Sequence, residues 1–387
     1  MIQPKYVVSI RHDKPISEMI HSAFEDLGGL HHIIPSGKRI LIKPNLVVAK
    51  KNDTGATTNP QIIEALIQEV LQTQPVEVAL GESSEVGENT MRGFKITGMD
   101  AIARRYGVKV IDFKRDPHIT KEVPGGREIR DITIPATLFE YDYLINVPVL
   151  KIHCQTTVTI GMKNLKGCIH DKEKHRFHRL NLNQCIVDLN TVIQPDLTVV
   201  DATTCSLQWE LGGDPVRLDT ILMGQNVLAV DMIAASLLGY SVKDVPHLEI
   251  ASRSGLGPTS IEEIAISNPL DKQASEEILS TTQKKSPQYR LNELKVVEKG
   301  TCTSCKGALI AAMRRLYLEG YSPRCHLVMG QLAQEEKEKL EKIQKDSLPV
   351  IAIGKCGIKI LGGDSNTNIK GCPAKAEEIY RGLKEFS

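Results

Sequence analysis

The stretch RILIKPNLV, residues 39–47, is followed by a helical pattern at 60–72 and by VEVAL at 76–80. A β-branched run, a helix and a second β-branched run in this order predict a strand–helix–strand unit within a largely parallel sheet. Thr58 or Asn59 can cap the helix, and a proline sits in its first turn, where the missing amide hydrogen costs nothing. This unit indicates an α/β fold.

The same alternation extends in both directions along the chain. YVVSI at 6–10 precedes a helical pattern at 15–28, and KVIDF at 109–113 follows one at 97–107. Further elements are a buried strand at DYLINVPVLKIH, a helix with one apolar face at 182–193, and strands at LTVVDA and DTILMG. Residues 1–265 are therefore predicted to form a larger domain with a mostly parallel sheet flanked by helices.

The pattern weakens at 266–299, which is polar and charged and contains two prolines. We interpret this stretch as a linker or a peripheral segment. A new alternation of strand and helix patterns then runs to the end of the chain, with apolar strand-like runs at CHLVM and PVIAIG. Residues 300–387 are therefore predicted to form a separate, small C-terminal α/β domain that binds metal through the cysteines described below.

The composition limits the classes of function. The chain of 387 residues suffices for two domains, and 48 Lys and Arg nearly balance 47 Asp and Glu. No global field therefore draws the protein to nucleic acid or to an anionic membrane. The apolar stretches are too short and too interrupted to cross a membrane. Nine cysteines, an odd number, disfavour a disulfide framework and predict reduced thiols or metal ligands in a cytoplasmic protein.

Positive charge is concentrated in residues 151–180, where five lysines, two arginines and four histidines accompany only two acids. Lys151 and His153 share one face of a strand, because side chains two residues apart point the same way. They also end that strand. Ligands of open α/β sheets bind beyond the carboxyl ends of the strands, so these two side chains are expected to line a pocket.

Two further motifs add donors to the same pocket. GMKNLKG carries Lys163, Asn164 and Lys166 beside glycines that let a ligand approach the backbone, and KPNL carries Lys43 and Asn45 at another strand end. Crowded ammonium groups repel one another unless an anion sits among them. The sequence therefore predicts a site for a phosphate, a carboxylate or another anionic small molecule. We expect catalytic roles for His153, Lys151 and Lys163, and binding roles for Lys43, Asn45, Asn164 and Lys166.

The second half of this basic segment has other interpretations. Residues 170–179 also fit a solvated, mobile basic loop. His170, His175 and His178 could supply imidazole ligands to zinc or iron, although their spacing matches no helical zinc signature. Phe177 is the sole aromatic residue of the segment, so base stacking is not expected. Neither nucleic acid nor a membrane is predicted as a partner.

Seven short motifs occur in the order KPNL, TTNP, LGESS, NVPVLKIH, VTIGMKNLKG, PDLTVVDA and VLAVDMIAASLLG. In these motifs the sequence resembles the domain of unknown function 362 family over residues 5–265. Members of that family are commonly labelled uncharacterised iron–sulfur proteins, so the resemblance implies iron–sulfur chemistry nearby. The residues that lie on the shared motifs are Lys43, Asn45, Lys151, His153, Lys163, Asn164 and Asp231.

The C-terminal domain carries the motifs GTCTSCKG, IGKCG and KGCPAK, which contain Cys302, Cys305, Cys356 and Cys372. The first two cysteines form a C-x-x-C pair, the other two adjoin glycine, and the last is followed by a proline that is predicted to open a helix. Four thiolates suit a 4Fe-4S cluster or tetrahedral zinc.

Spacing favours the cluster over zinc, because structural zinc usually binds two compact knuckles and here 15 residues separate the last two cysteines. A redox disulfide and unligated core cysteines remain alternatives. The contiguous C-x2-C-x2-C-x3-C-P run that is common in the family is absent, so a simple ferredoxin domain is not predicted.

These features favour a cytoplasmic iron–sulfur protein that binds an anionic small molecule in a redox reaction, with electron transfer to or from a redox partner protein. No G-x-G-x-x-G fingerprint for a flavin or nicotinamide is present. One alternative is a non-redox lyase or isomerase, with His153 as general base, a lysine as electrophile, and zinc or a structural cluster. Another is a non-enzymatic electron carrier or cluster-delivery protein. The sequence does not decide whether the protein is an enzyme.

Overall fold

The structure is a computed structural model, and the chain forms two compact units, Met1–Lys285 and Ser286–Ser387. The residues that it describes are 5–153, 155–207, 211–212, 215–285, 296–299, 301, 303–330, 334–362 and 368–387. No helix among them is long and apolar enough to span a bilayer.

The large unit is built on one ten-stranded sheet and a separate hairpin. Its strands are β1 (Tyr6–His12), β2 (Arg39–Pro44), β3 (Glu77–Glu82), β4 (Lys109–Asp112), β5 (His118–Glu122), β6 (Asp131–Pro135), β7 (Tyr143–Val147), β8 (Val149–His153), β9 (Thr157–Thr159), β10 (Leu197–Ser206), β11 (Pro215–Gly224) and β12 (Ile264–Ser267). Strands β5 and β6 form the hairpin, and the other strands form the sheet.

The sheet is mostly parallel, as the sequence predicted. Its main path runs β12-β1-β11-β10-β7-β2-β3-β4, and β8 pairs with β10 and β9 off this path. All neighbours from β10 to β4 are parallel, and so are β12–β1 and β10–β8. The antiparallel pairs are β1–β11, β10–β11 and β8–β9. The carboxyl ends of β2, β3 and β8 therefore meet at the same edge.

Helices cover both faces of this sheet. They are α1 (Ile16–Asp26), α2 (Leu30–Ile33), α3 (Pro60–Gln72), α4 (Thr90–Thr97), α5 (Met99–Tyr106), α6 (Gly161–Asn164), α7 (Asp171–Arg179), α8 (Leu182–Val192), α9 (Val227–Leu237), α10 (Pro246–Arg253) and α11 (Lys272–Lys285). Asn59 caps α3 by accepting a hydrogen bond from the Gln61 amide at 3.0 Å, as its sequence predicted. Ile40 and Ile42 of β2 pack into one core and Leu41 into the other, because successive strand residues face opposite sides.

The predicted single strand DYLINVPVLKIH is two strands in the structure. Strand β7 ends at Val147 and β8 begins at Val149. The break falls at Pro148, which lacks the amide hydrogen that a continuous ladder needs. Both halves pair in parallel with β10.

The boundary between the units lies later than the end of the predicted domain 1–265. Strand β12 includes residues 266 and 267 and pairs with β1. Helix α11 belongs to the large unit, where Ile278 joins a hydrophobic core. The stretch 266–299 is therefore not a linker throughout. The helix was hard to predict because most of its side chains are polar. Among its described side chains, those of Ile278 and Thr282 are buried, which is too few to give a clear apolar face.

The small unit is a parallel three-stranded sheet with helices, in agreement with a small C-terminal α/β domain. Its strands, in the order β13-β14-β15, are β13 (Val296–Lys299), β14 (His326–Gly330) and β15 (Val350–Ala352). Its helices are α12 (Thr303–Leu318), α13 (Gln334–Gln344), α14 (Gly354–Leu361) and α15 (Ala376–Lys384). The predicted helix after Cys372 thus begins at Ala376, and Pro373 lies in the turn before it.

We predict that residues 1–285 fold without the small unit. The two hydrophobic cores of the large unit use no described residue beyond Ile278, and the small unit builds its own core from Cys305 onward. A chain ending at Lys285 should unfold in one cooperative transition by circular dichroism. A non-cooperative melt, while the full chain unfolds sharply, would contradict this independence.

Candidate functional site

Polar side chains from three strand ends meet around one cavity of about 340 Å³ in the large unit. All seven residues predicted to form the anion site line it: Lys43, Asn45, Lys151, His153, Lys163, Asn164 and Lys166. Further lining residues are Val47, Glu82, Ser83, Glu85, Val86, Gln155, Thr159, Gly167, Lys174, His175, His178 and Leu211. The structure thus brings these residues together around one cavity, and their roles stay a prediction.

A buried ion pair forms part of the cavity wall. Lys43 Nζ donates to the Glu82 carboxylate at 2.6 Å and to the Pro44 carbonyl at 2.8 Å, and both charged side chains are almost fully buried. Glu82 also accepts hydrogen bonds from the Leu46 and Ser83 amides. These partners compensate the desolvation of the two charges, and removing one member of such a pair typically costs about 3–5 kcal/mol.

A series of side-chain hydrogen bonds with one donor-to-acceptor direction links residues in another part of the cavity wall. Lys151 Nζ donates to Asn45 Oδ1 at 3.1 Å, and Asn45 Nδ2 donates to Asn164 Oδ1 at 3.0 Å. Asn164 Nδ2 then donates to Asn146 Oδ1 at 2.8 Å, and Asn146 Nδ2 donates to the Gly161 carbonyl at 3.0 Å. An ammonium group only donates and a carbonyl only accepts, so the orientation of every amide between them is fixed.

Asp231 anchors the turn that presents Lys163 and Asn164. Its two carboxylate oxygens accept the Gly161 and Met162 amides at 2.7 and 2.8 Å, at the first turn of α6. Burial raises the pKa of Asp231 to about 7, and the two amide donors oppose this rise. Asp231 does not line the cavity. Its contribution is to hold the turn that carries Lys163 and Asn164, which is a positioning role for a residue on a shared motif.

The structure replaces the proposed mobile loop at 170–179 with helix α7, and this helix supplies a lysine that the sequence argument missed. Lys174 is buried, and its Nζ donates to the Ser83 carbonyl, the Ser83 hydroxyl and the Ser84 carbonyl at 2.6–2.8 Å. Burial lowers the pKa of Lys174 to about 8. The spacing of Lys174 and His178, four residues apart on one helical face, was the available signal.

His153 is held in one tautomer. Its Nδ1 accepts the Gln155 amide at 3.0 Å, so the neutral ring carries its proton on Nε2. Burial and the neighbouring ammonium groups, first of all Lys163, hold the pKa of His153 well below its usual value. Burial likewise lowers the pKa of His178 to about 3. In this state His153 offers a hydrogen-bond donor, and the general-base role would require the opposite tautomer.

The three histidines considered as metal ligands are not brought together. His170 caps α7 by accepting the Lys172 amide at 3.1 Å, and its ring lies edge-on to His118. His175 and His178 line the cavity instead. Among the described residues, no group of three His, Cys, Asp or Glu is arranged to hold a metal ion.

In the small unit, Cys305 is buried, and of the predicted cysteine set it is the buried one among the described members. Its Sγ accepts the Ala374 amide at 3.4 Å, and a Cβ added to Gly354 would also lie 3.4 Å from this sulfur. Cys356 and Cys372 are exposed. The sulfur of Cys305 therefore lies next to the two segments that carry Cys356 and Cys372.

Backbone hydrogen bonds join those two segments. The Gly354 amide donates to the Ile369 carbonyl at 2.8 Å, and the Lys355 amide donates to the Gly371 carbonyl at 2.9 Å. Cys302, the fourth predicted ligand, lies outside the described residues.

Fold and cavity together define an α/β protein with a lysine-rich cavity at the carboxyl ends of its parallel strands. Residues 40–236 match the family described as Domain of unknown function (DUF362), and the chain belongs to this family. The resemblance seen in the ordered motifs is thereby confirmed.

Two other proteins are similar to this chain. The thylakoid-associated protein sll1697 of Synechocystis sp. (strain ATCC 27184 / PCC 6803 / Kazusa) is 25% identical over 251 residues, which cover 63% of this chain and 76% of that protein. The lactate racemase apoprotein from Thermoanaerobacterium thermosaccharolyticum matches with a TM-score of 0.37 and 12% identity. That match covers 51% of this chain and spans half of the racemase chain.

Replacing Gly167 by alanine should destabilise the large unit by about 2 kcal/mol or more, because a Cβ there would lie 1.9 Å from Glu82 Oε1 and 2.6 Å from Lys43 Nζ. Urea unfolding measures the change. Gly93→Ala in α4 is the matched control, because its Cβ would meet Leu46 and Ser84 only at ordinary distances of 3.7–3.9 Å, and the change should stabilise the unit by about 0.5–1 kcal/mol. Equal shifts in the two variants would show that the packing on the ion pair is unimportant.

Proposed function

We propose that this chain binds an anionic small molecule in the cavity at the strand ends, where Lys151, His153, Lys163 and Asn164 contact it. The observation that carries this proposal is the presence of these four side chains around one cavity. They come from β8 and from the turn that Asp231 anchors, so their positions are set by rigid neighbours.

The charge balance of the cavity supports an anionic ligand. Its lining contains five lysines and two glutamates, and one of the glutamates is paired with Lys43. Burial lowers the pKa of both His153 and His178, and nearby ammonium groups, among them those of Lys163 and Lys166, lower these pKa values further. A carboxylate or phosphate in the cavity would offset this charge and accept the Nε2 proton of His153 as a hydrogen bond.

Binding of an anion should raise the melting temperature, and Lys163→Ala should abolish the rise. Thermal shift in sulfate, phosphate and acetate, at constant ionic strength, measures this effect. Lys95→Ala removes an exposed lysine of α4 away from the cavity, and it should retain the response of the wild-type chain. The proposal fails if no anion stabilises the wild-type chain, or if both variants respond equally.

The small unit supports a second proposal, a cysteine-ligated iron–sulfur cluster on Cys302, Cys305, Cys356 and Cys372, with zinc as the alternative metal. The fit rests on the sulfur of Cys305, which accepts a backbone amide and adjoins the segments of two other cysteines. Backbone N–H groups near sulfur are also a feature that tunes cluster potentials. A compartment that keeps thiols reduced, such as the cytoplasm, suits these ligands.

A bound cluster would supply one-electron transfer, which would make the anion the substrate of a redox reaction or the whole chain an electron carrier. A non-redox lyase or isomerase remains the alternative if zinc is found. In either enzyme Lys151 and Lys163 would stabilise negative charge on the substrate, and His153 would donate a hydrogen bond from Nε2.

Protein purified without oxygen should be brown, contain iron and acid-labile sulfide, and bleach with dithionite. Cys356→Ser should diminish or remove the colour, because it deletes an exposed candidate ligand. Cys185→Ser alters a buried thiol of α8 in the large unit and should leave the colour intact. A colourless preparation with one equivalent of zinc would favour the zinc alternative.

A further inference from the structure

The cavity has an apolar side as well as a cationic one. Three aliphatic side chains are among its lining residues, Val47, Val86 and Leu211. Val86 is 37% exposed, so a further part of this residue can be buried by an apolar group. The cationic lining comes largely from β8 and the residues around α6.

Hydrogen bonds hold the three aliphatic residues in neighbouring loops. The Glu85 amide, next to Val86, donates to the Val47 carbonyl at 3.0 Å. The ammonium group of Lys50, three residues after Val47, donates to the Leu211 carbonyl at 2.8 Å. Hydrogen bonds to or from the loop after β2 therefore link the positions of Val47, Val86 and Leu211, which all line the cavity.

The size of the cavity exceeds that of an inorganic anion. Its volume of about 340 Å³ equals the space of about eleven water molecules at roughly 30 Å³ each. A sulfate or phosphate that contacts Lys163 and His153 would leave most of this volume to water. Part of that water would lie against aliphatic side chains, where it has few hydrogen-bond partners.

We propose that the ligand is an amphipathic organic anion, whose charged group lies among Lys151, His153 and Lys163 and whose apolar group packs against Val47, Val86 and Leu211. This inference rests on the proposed anion site and adds the substrate class to it. The charged group is a carboxylate or a phosphorus oxyanion, since both satisfy the same donors. The apolar group distinguishes the ligand from free phosphate or sulfate.

Isothermal titration of the full-length chain with two homologous series tests this inference. The carboxylates are acetate, propionate and butyrate, and the phosphonates are methyl-, propyl- and butylphosphonate. Each buried methylene is expected to raise affinity by roughly fourfold, so butyrate should bind at least about tenfold more tightly than acetate. Butanol, which has the tail without the charge, should show no binding.

Val86→Ser should reduce the ratio of butyrate affinity to acetate affinity by about fourfold or more, because it removes apolar contact area. Val76→Ser is the matched control: Val76 is 71% exposed, does not line the cavity, and its replacement should leave the ratio unchanged. Circular dichroism melts check that both variants are folded.

Three results would overturn the inference, and they separate its failure from that of the anion site. If acetate and butyrate bind equally, and Lys163→Ala abolishes both, the site binds anions without an apolar contribution and only the further inference fails. If butanol binds as tightly as butyrate, the apolar side is not coupled to the charged one. If no member of either series binds, the anion site and the inference fail together.

Discussion

The site depends on the hydrogen-bond chain that runs from Lys151 through three asparagines to Gly161. A donor-only ammonium group stands at one end and an acceptor-only carbonyl at the other, so no amide in between can flip without losing a bond. The chain joins β8, the loop after β2, α6 and β7. It thereby fixes the turn carrying Lys163 relative to the strand ends, so the proposed ligand would meet donors that are already oriented.

The cavity wall also contains buried charged groups, whose removal from water costs free energy. The Lys43–Glu82 pair and Lys174 are stable in the wall because carbonyls, hydroxyls and amides complete their hydrogen bonds. Close packing of Gly167 on the pair leaves no room for a side chain or for water between them. These hydrogen bonds compensate the charges within the wall, while the remaining positive charge of the cavity would favour binding of the proposed anion.

The sequence could predict that several of these side chains lie together, because the alternation of side chains along a strand and the position of strand ends depend on only a few neighbouring residues. Lys151 and His153 share a strand face, and Lys43 lies at the carboxyl end of another parallel strand of the same sheet, so their convergence follows from the α/β class. Lys174 was missed for a physical reason. Its acceptors, Ser83 and Ser84, lie about ninety residues away in sequence, and a charged helix with few apolar residues looks like a solvated loop until those acceptors are known.

The same limit applies to the cysteines of the small unit. Fifteen intervening residues suggested that the ligands could not form two compact zinc knuckles. In the fold, the segment entering Cys356 is hydrogen-bonded to the segment entering Cys372, so sequence separation does not measure their spatial separation. The sequence spacing of Cys356 and Cys372 therefore does not favour an iron–sulfur cluster over zinc. The proposal of a thiolate-bound metal keeps a chemical basis: the buried thiol of Cys305 accepts a backbone amide next to the segments that carry two exposed cysteines. Thiolates suit both an iron–sulfur cluster and zinc, so metal analysis has to distinguish them.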